Sequence, residues 1–573
     1  MNIRTIAGLI GICIPIVSWA GKGVQLDVKG IKNPNVLKNV TLYLSQIDKQ
    51  EADGSERYKH LVTQMADKAL RAEGYYHSKF EFNNNKDKLN LNVTLNKPVR
   101  LNERNIKIIG EATENKDFQN LITKQVPKKG TILNHGTYDS FKSKLENLAQ
   151  TEGYFDSRWL YHRLEVYPTQ YLANWQLGYD SGKRYHYGQI TFKDSQIDQD
   201  YLENVLKIKS GDPYLMSDLS TLTNDLSSSK WFSSVLVEPK KRSDSQLVDL
   251  DVLLLPKKKN QIEIGIGYET EVGPHLQFNW KKPWLNQYGH SIETHTYVSK
   301  PKQTIDFAYN WPLKVHPLSY YYQVAASLEH EDLNDIRYSA STLSFQRFWN
   351  RPKSWSYNLG LKMRYDSFEE GNKRHKTFLL YPTASFKRIR SDGNAFPQWG
   401  DSQTVTVNYA DTALKSDVSF YSIKASTAWV RTYYANHRVY LRAELGYLHS
   451  NEFEKIPVAL RFFAGGDNSV RGFGYKQISP KDPQTGKLIG ASRLATATAE
   501  YQYQFLPNWW GATFYDTGLA ADNFNKKYLN SGVGLGIRWI SPIGAIKFDI
   551  AKPVKSTENK NGIHYYIGLG SEL

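Results

Sequence analysis

Residues 532–539 read GVGLGIRW, so that every second position of this stretch is large and apolar. The same alternation returns in IKFDI at 546–550 and in YYIGLG at 565–570. Because side chains alternate between the two faces of a strand, each stretch predicts a strand with one apolar face and one small or polar face. The polar face carries Arg538 and Asp549, which a dry protein core accepts only at high cost. The pattern therefore favours a transmembrane β-barrel, with the apolar face outward and the polar face in the lumen.

The first 20 residues predict a secretory signal peptide, with Arg4 as its single charge, an apolar core and cleavage after Ala20. Cys13 raises the alternative of a lipoprotein, but the residue before it is not the small one that lipidation requires. Removal of the peptide leaves residues 21–573 without cysteine and lowers the formal net charge from +16 to +15, because one arginine is lost. We therefore expect an exported protein without disulfides.

The composition of the chain agrees with a barrel. No other stretch is long and apolar enough for a transmembrane helix, and the mean hydropathy is −0.56. The 38 Tyr and 14 Trp suit the aromatic girdles of a barrel, although a tyrosine-rich soluble β protein is the alternative. The positive charges are spread along the chain and form no basic helix. For an exported chain they favour outer-membrane lipids over nucleic acid as partners.

Three helix ends, each followed by aromatic residues, recur 79 and 77 residues apart at Gly74, Gly153 and Lys230. Each end follows a helical stretch and precedes a strand, and the flanking patterns predict the order β-α-α-β-β three times. Glycine ends a helix because it tolerates the left-handed conformation. The lysine of the third repeat therefore predicts a changed helix end and not a missing domain. The sheet edges of such modules suit the binding of extended peptides by strand addition.

The strand candidates from Ile262 onward number about sixteen, in line with the even numbers usual in bacterial barrels. The sequence thus predicts a transmembrane β-barrel of about 16 antiparallel strands, preceded by three α+β domains. The predicted boundaries are 1–20 for the signal peptide, 21–97, 98–182 and 183–257 for the three domains, and 258–573 for the barrel.

One long connection between strands, roughly 451–491, contains GGDNSVRGFGY at 465–475. Glycines near Arg471 let the backbone turn tightly and direct that side chain. Asp516 follows on a barrel strand, on the inward face. Because bidentate charge-assisted pairs are strong, an inward aspartate is a natural partner for an inward arginine.

These residues resemble a known family. Val470, Arg471, Gly472 and Phe473 match the V-R-G-F/Y motif of outer-membrane assembly proteins, which join POTRA domains to a sixteen-stranded barrel. The F-x-D-x-G motif of that superfamily is matched by Phe514, Asp516 and Gly518. The resemblance implies that the three repeats are POTRA domains. It also implies that the long loop folds back into the barrel, where Arg471 meets Asp516 with Glu500 nearby. We interpret Arg471 as a latch of this loop, and a purely structural salt bridge is the alternative.

Three repeats, a length near 570 and the C-terminal strand are similar to the TamA group of that superfamily, the outer-membrane subunit of the translocation and assembly module. The resemblance implies an outer-membrane protein with periplasmic POTRA domains that assists the assembly of unfolded outer-membrane proteins such as autotransporters. It implies TamB, a periplasm-spanning protein anchored in the inner membrane, as partner, and a role in phospholipid transport between the membranes. The alternative within the superfamily is a two-partner secretion pore, which has two POTRA domains.

The first and last predicted strands, 262–268 and 565–571, must pair to close the barrel. Each carries two glycines on the inward face, and these are Gly265, Gly267, Gly568 and Gly570. Glycine weakens a strand and offers no side chain to pair. We hypothesise that this seam is a lateral gate, whose exposed first strand templates an incoming strand. The alternative is that the glycines only relieve crowding in the lumen.

No pattern of an enzyme is present in the sequence. Ser181 stands one position late for a G-x-S-x-G elbow, and Gly289-His290-Ser291 lacks the closing glycine. The histidines show no metal-ligand spacing, and no phosphate-binding loop is found. We therefore expect no catalytic residue, no metal and no cofactor. A passive porin and an outer-membrane lipase are the rival classes.

Overall fold

The computed structural model describes residues 24–85, 88–269, 272–351, 354–394, 396–541, 544–558 and 561–569. The predicted signal peptide and Gly570 lie outside these ranges. In the described part of the chain, no helix has both the length and the apolar character needed to cross a membrane. The chain divides into two compact units, and the boundary between them runs through the third repeat.

Three small α+β repeats come first, and each has the predicted order β-α-α-β-β. The first repeat consists of β1 (Gln25–Lys29), α1 (Pro34–Leu44), α2 (Glu56–Ala72), β2 (Lys79–Asn85) and β3 (Lys88–Thr94). The second consists of β4 (Arg100–Ile109), α3 (Lys116–Gln125), α4 (His135–Thr151), β5 (Arg158–Tyr167) and β6 (Leu172–Asp180). The third consists of β7 (His186–Lys193), α5 (Gln199–Glu203), α6 (Met216–Ser228), β8 (Phe232–Arg242) and β9 (Leu247–Pro256). In every sheet the last strand lies in the middle, in the orders β1-β3-β2, β4-β6-β5 and β7-β9-β8.

The residue that ends the second long helix of each repeat adopts the left-handed conformation, with φ of +89° at Gly74, +84° at Gly153 and +66° at Lys230. The carbonyls of the two glycines accept hydrogen bonds from the first strand region of the next repeat, Gly74 from Val99 at 2.8 Å and Gly153 from Tyr185 at 2.9 Å. The corner therefore ends a helix and also holds the following repeat. The third repeat forms the same corner with a lysine, which strains the backbone where glycine would not.

Sixteen strands follow, and each pairs antiparallel with its neighbour in sequence order. They are β10 (Gln261–Glu269), β11 (Gly273–Lys282), β12 (Ser291–Ser299), β13 (Lys302–Pro312), β14 (Tyr320–Leu333), β15 (Ile336–Trp349), β16 (Ser356–Glu370), β17 (Lys373–Ser391), β18 (Trp399–Ala410), β19 (Phe420–Tyr433), β20 (His437–His449), β21 (Arg493–Leu506), β22 (Trp509–Ala521), β23 (Asn530–Ser541), β24 (Gly544–Lys555) and β25 (His564–Leu569). The predicted fold class, a barrel-like sheet of sixteen strands after α+β repeats, is confirmed. The domain boundaries given above stay predictions.

The sheet is apolar on one face only, as the alternation predicts. Ile537 and Trp539 are exposed on its outward face, whereas Arg538 between them in sequence order is almost fully buried on the inward face. The two edge strands are β10 and β25, and no ladder pairs them within the described residues. The sheet is therefore barrel-like but not closed at the seam where the gate was predicted.

Candidate functional site: a buried charge network on the inserted loop

The connection between β20 and β21 is a long loop that packs onto the inward face of the sheet. Val470 and Phe473 are buried in an apolar cluster with side chains of β17, β19 and β20. Gly472 has a φ of +95°, and a Cβ there would approach the backbone of Lys552 on β24 to 2.9 Å. On β23, a Cβ at Gly532 would lie 1.9 Å from the carbonyl oxygen of Arg471. The loop thus reaches this position only because the small residues of the strand leave room for its backbone.

Arg471 is bound to Asp516 by three hydrogen bonds. Its Nε donates to Oδ2 at 2.7 Å, its Nη2 donates to Oδ1 at 3.1 Å, and its backbone N–H donates to Oδ2 at 3.0 Å. The guanidinium carbon lies 3.3 Å from the ring centroid of Phe514, which adds a cation–π contact. Arg471 and Asp516 are both buried. The geometry is the bidentate fork that makes arginine–carboxylate pairs strong and directional.

Two further carboxylates and a second arginine extend the pair into a network. Arg471 Nη1 donates to Glu500 Oε2 at 2.8 Å and to Asp549 Oδ2 at 2.9 Å. Arg538 donates to the same two residues, through Nη2 to Glu500 Oε1 at 2.8 Å and through Nη1 to Asp549 Oδ1 at 2.5 Å. Two arginines therefore alternate with three carboxylates, so the loop is joined to β21, β22, β23 and β24. A cavity of about 340 Å³ borders the network.

Tyr566 of β25 ties the loop to the last strand. Its hydroxyl donates to the carbonyl of Phe473 at 2.8 Å and accepts the backbone N–H of Gly472 at 2.9 Å. The side chain is buried. Both loop atoms belong to the V-R-G-F segment, so the motif contacts a strand at the predicted gate. Sequence reasoning missed this residue, although the alternation of 565–570 already assigned Tyr566 to the inward face.

Two more ion pairs anchor the loop to the sheet at positions outside the V-R-G-F motif. Arg461 Nη2 lies 2.7 Å from Glu370 Oε2 on β16, and Lys476 Nζ lies 2.6 Å from Glu331 Oε1 on β14. The loop is therefore fixed to opposite parts of the sheet, and Arg471 is one of several anchors.

The predicted gate glycines lie on the two edge strands. On β10, Gly265 and Gly267 face the side chains of Gln277 and His275 on the neighbouring strand. On β25, Gly568 borders the same cavity as Arg471. The structure brings Gly568 to the network and leaves the two glycines of β10 outside the residues that line the cavity.

The serine considered for an enzyme has a structural role. Ser181 is fully buried, and its hydroxyl accepts the backbone N–H of Ala112 at 3.0 Å. Among the described residues, no three His, Cys, Asp or Glu side chains are placed to hold a metal ion.

Comparisons with known proteins agree with this architecture. A family model described as "Omp85 superfamily domain" matches residues 257–573, and one described as "POTRA domain TamA domain 1" matches residues 25–97. The outer membrane protein assembly factor BamA of Nitratidesulfovibrio vulgaris is 25% identical over 365 residues, which cover 61% of this chain and 46% of that protein. The BamA of Neorickettsia risticii is 33% identical over 108 residues, which cover 17% of this chain and 14% of that protein. The chain thus spans less than half the length of either relative.

A solved structure shows the same fold. The BamA of Haemophilus ducreyi lacking POTRA domains 1–3 superposes with a TM-score of 0.67 at 16% identity, and the match covers 82% of this chain and 99% of that one.

Proposed function

We propose that this chain, which belongs to the Omp85 superfamily, assists the assembly of unfolded β-barrel proteins in the bacterial outer membrane. Its barrel lies in that membrane and its POTRA repeats lie in the periplasm. The observation that carries the proposal is the unpaired seam between β10 and β25 in the described part of the sheet. An unpaired strand edge presents backbone donors and acceptors to another strand.

Within the superfamily we assign the chain to the TamA group. Two observations support this assignment: the sheet-and-helix repeat occurs three times, and the first repeat matches the family model described as TamA domain 1. The assignment makes autotransporters substrates, makes TamB the periplasmic partner, and adds phospholipid transport between the membranes as a second task.

The mechanism we propose uses the seam as a lateral gate. The edge of β10 templates an incoming strand by main-chain hydrogen bonding, and Gly265 and Gly267 weaken the strand that presents this edge. On the other side, Tyr566 holds β25 against Gly472 and Phe473 of the loop. The latch residues Val470, Arg471, Gly472, Phe473, Glu500 and Asp516 would thus set the position of the last strand. Gly568 and Gly570 complete the proposed gate.

The proposal is tested by reconstitution. The full chain in proteoliposomes should accelerate the folding of an added, urea-unfolded autotransporter barrel, followed by its heat-resistant electrophoretic mobility and protease protection. A porin of similar strand number without POTRA repeats is the control. If the autotransporter barrel folded equally fast in vesicles with this protein and in vesicles with the porin, the proposed assembly function would be refuted. Export of substrate into the vesicle lumen without membrane insertion would instead favour a two-partner secretion pore.

A further inference from the structure

A cluster of arginines and tryptophans lies where β17, β18 and β19 end at one rim of the sheet. Arg390 forks onto Asp401, with Nε at 3.1 Å from Oδ1 and Nη2 at 2.8 Å from Oδ2. Arg388 and Arg431 approach the same carboxylate, each to 3.5 Å. Asp401 is completely buried beneath these three side chains. We call this group, with Trp399 and Trp429, the arginine–tryptophan patch.

The patch points away from the lumen. Phe386 shares a strand face with Arg388 and is 41% exposed, and Ile423 shares a face with Arg431 and is 44% exposed. Since side chains alternate across a strand, the arginines lie on the apolar outward face, at its end. A charge facing lipid costs much at mid-membrane and little at the level of the head groups. The patch therefore lies at the membrane surface.

The order of the strands assigns the patch to the periplasmic surface. Strand β10 follows directly from the last repeat, so the barrel begins at the periplasmic side. Antiparallel strands alternate in direction, so the turn between β17 and β18, the eighth and ninth strands of the sheet, lies at that same side. The indole of Trp399 is stacked 4.9 Å from the Arg431 guanidinium and that of Trp429 5.3 Å from it, as expected for an interfacial aromatic belt. This leaflet of the outer membrane consists of phospholipids.

The charges of the patch do not balance. Asp401 is the single acidic residue in an ion pair with Arg388, Arg390 and Arg431 in the described part of the chain, which leaves a formal charge of two positive units. The three arginine side chains stay 25%, 35% and 29% exposed. Each guanidinium has five N–H donors, and Asp401 uses only part of them. Arg388 Nε also donates to Gln403 Oε1 at 3.2 Å, and Arg431 Nη1 donates to the carbonyls of Gly400 and Val430 at 2.6 Å each. The buried carboxylate and these neighbours hold the three arginines in place, and part of each arginine side chain stays exposed.

We propose that the arginine–tryptophan patch binds the phosphate of an anionic phospholipid in the periplasmic leaflet. Arginine forks match the geometry of phosphate oxygens and lose little side-chain freedom when already ordered. The acyl chains of the lipid would lie along the outward apolar residues above the patch, beginning with Phe386. The site stands apart from the assembly function and does not depend on the gate.

The test compares lipid binding by two variants of the full-length protein. Arg388→Gln/Arg431→Gln removes two positive charges and keeps the Arg390–Asp401 fork, so Asp401 is not left unpaired. The matched control Arg374→Gln/Lys376→Gln removes the same charge from the same face of β17, at its other end. Binding of phosphatidylglycerol and of phosphatidylcholine is measured by native mass spectrometry of protein released from nanodiscs of both lipids, after heat-resistant mobility has confirmed a folded barrel.

We expect the patch variant to bind phosphatidylglycerol about tenfold more weakly, because hydrogen bonds to charged groups are lost. The control variant and the binding of phosphatidylcholine should stay unchanged. Unaltered phosphatidylglycerol binding by the patch variant, or an equal loss in the control, would overturn the proposal. Displacement of phosphatidylglycerol by equimolar inorganic phosphate would also overturn it, since the site would then bind a free anion. Arg431→Gln alone allows the same comparison if the double variant does not fold.

Discussion

At the scale of single residues, Arg471 is the centre of the buried network. Its guanidinium bonds to Asp516, Glu500 and Asp549. All three of these carboxylates are buried. Arg471 stabilises the barrel because it compensates the negative charge of these buried carboxylates. Removing such a residue is expected to lower the free energy of unfolding substantially. Removing it together with its partner measures the interaction energy of the pair.

Arg471→Ala should lower the free energy of unfolding by about 3 kcal/mol, the lower end of the range for breaking a buried ion pair, because the adjacent cavity can admit water. Urea unfolding followed by tryptophan fluorescence measures this loss. Arg471→Ala/Asp516→Asn should recover part of it, because the stranded charge is then gone. Equal losses in the single and the double variant would show that the charge is not the cause.

Tyr566→Phe should loosen the contact between the loop and the last strand while keeping the shape of the side chain. The buried N–H of Gly472 then lacks its acceptor, which costs about 1–3 kcal/mol. We expect faster amide hydrogen exchange in 470–473 and in 564–569. Tyr565→Phe, one position away on the exposed outward face, is the control and should change neither segment. Unchanged exchange in Tyr566→Phe would separate the loop from the gate.

At the scale of elements, the helix corners explain how one repeat tolerates an unusual residue. Lys230 has the same left-handed backbone as Gly74 and Gly153, and the next residue, Trp231, is buried in the core of the third repeat. The packing of Trp231 in the core fixes the corner. Lys230 is therefore held in the left-handed conformation although this strains its backbone.

Lys230→Gly should stabilise the third repeat by about 1 kcal/mol, because glycine adopts this conformation without the clash of a Cβ. The measurement is hydrogen exchange of α6, β8 and β9 in the full-length protein. Lys230→Ala keeps the strain and removes only the exposed ion pair with Glu293, whose atoms lie 3.4 Å apart, so it should have little effect. Protection that rises equally in both variants would show that removal of the lysine side chain, and not relief of the backbone strain, is the cause.

Sequence patterns predict the elements of this protein better than their contacts. Alternation in 532–539 predicts a one-faced strand because the period of two is a local property, and the recurring helix ends predict the three repeats. The motifs around Arg471 and Asp516, and not any local spacing, indicate that these two residues pair. Tyr566 and Gly472 are 94 residues apart, and no local spacing indicates that such residues meet. Arg538 and Asp549 were assigned to the inward face, but their joining of the network depends on where the loop enters the barrel.

At the scale of the whole molecule, we propose that the seam between the first and last barrel strands opens to release or admit a strand. Every other neighbouring pair of strands in the sheet is joined by a ladder. The loop contacts β25 through Tyr566, so the state of the loop and the state of the seam are expected to be linked.

The most direct measurement locks that seam. The natural sequence has one cysteine, Cys13 in the predicted signal peptide, so one cysteine placed in 262–268 and one in 564–569 form a single disulfide across it. Ala384→Cys/Val407→Cys, at register partners of β17 and β18, cross-links an ordinary ladder as control. We predict that the locked seam stops insertion of an autotransporter barrel, that reductant restores it, and that the control remains active. Normal insertion by the locked barrel would contradict the gate and leave the repeats to carry the function.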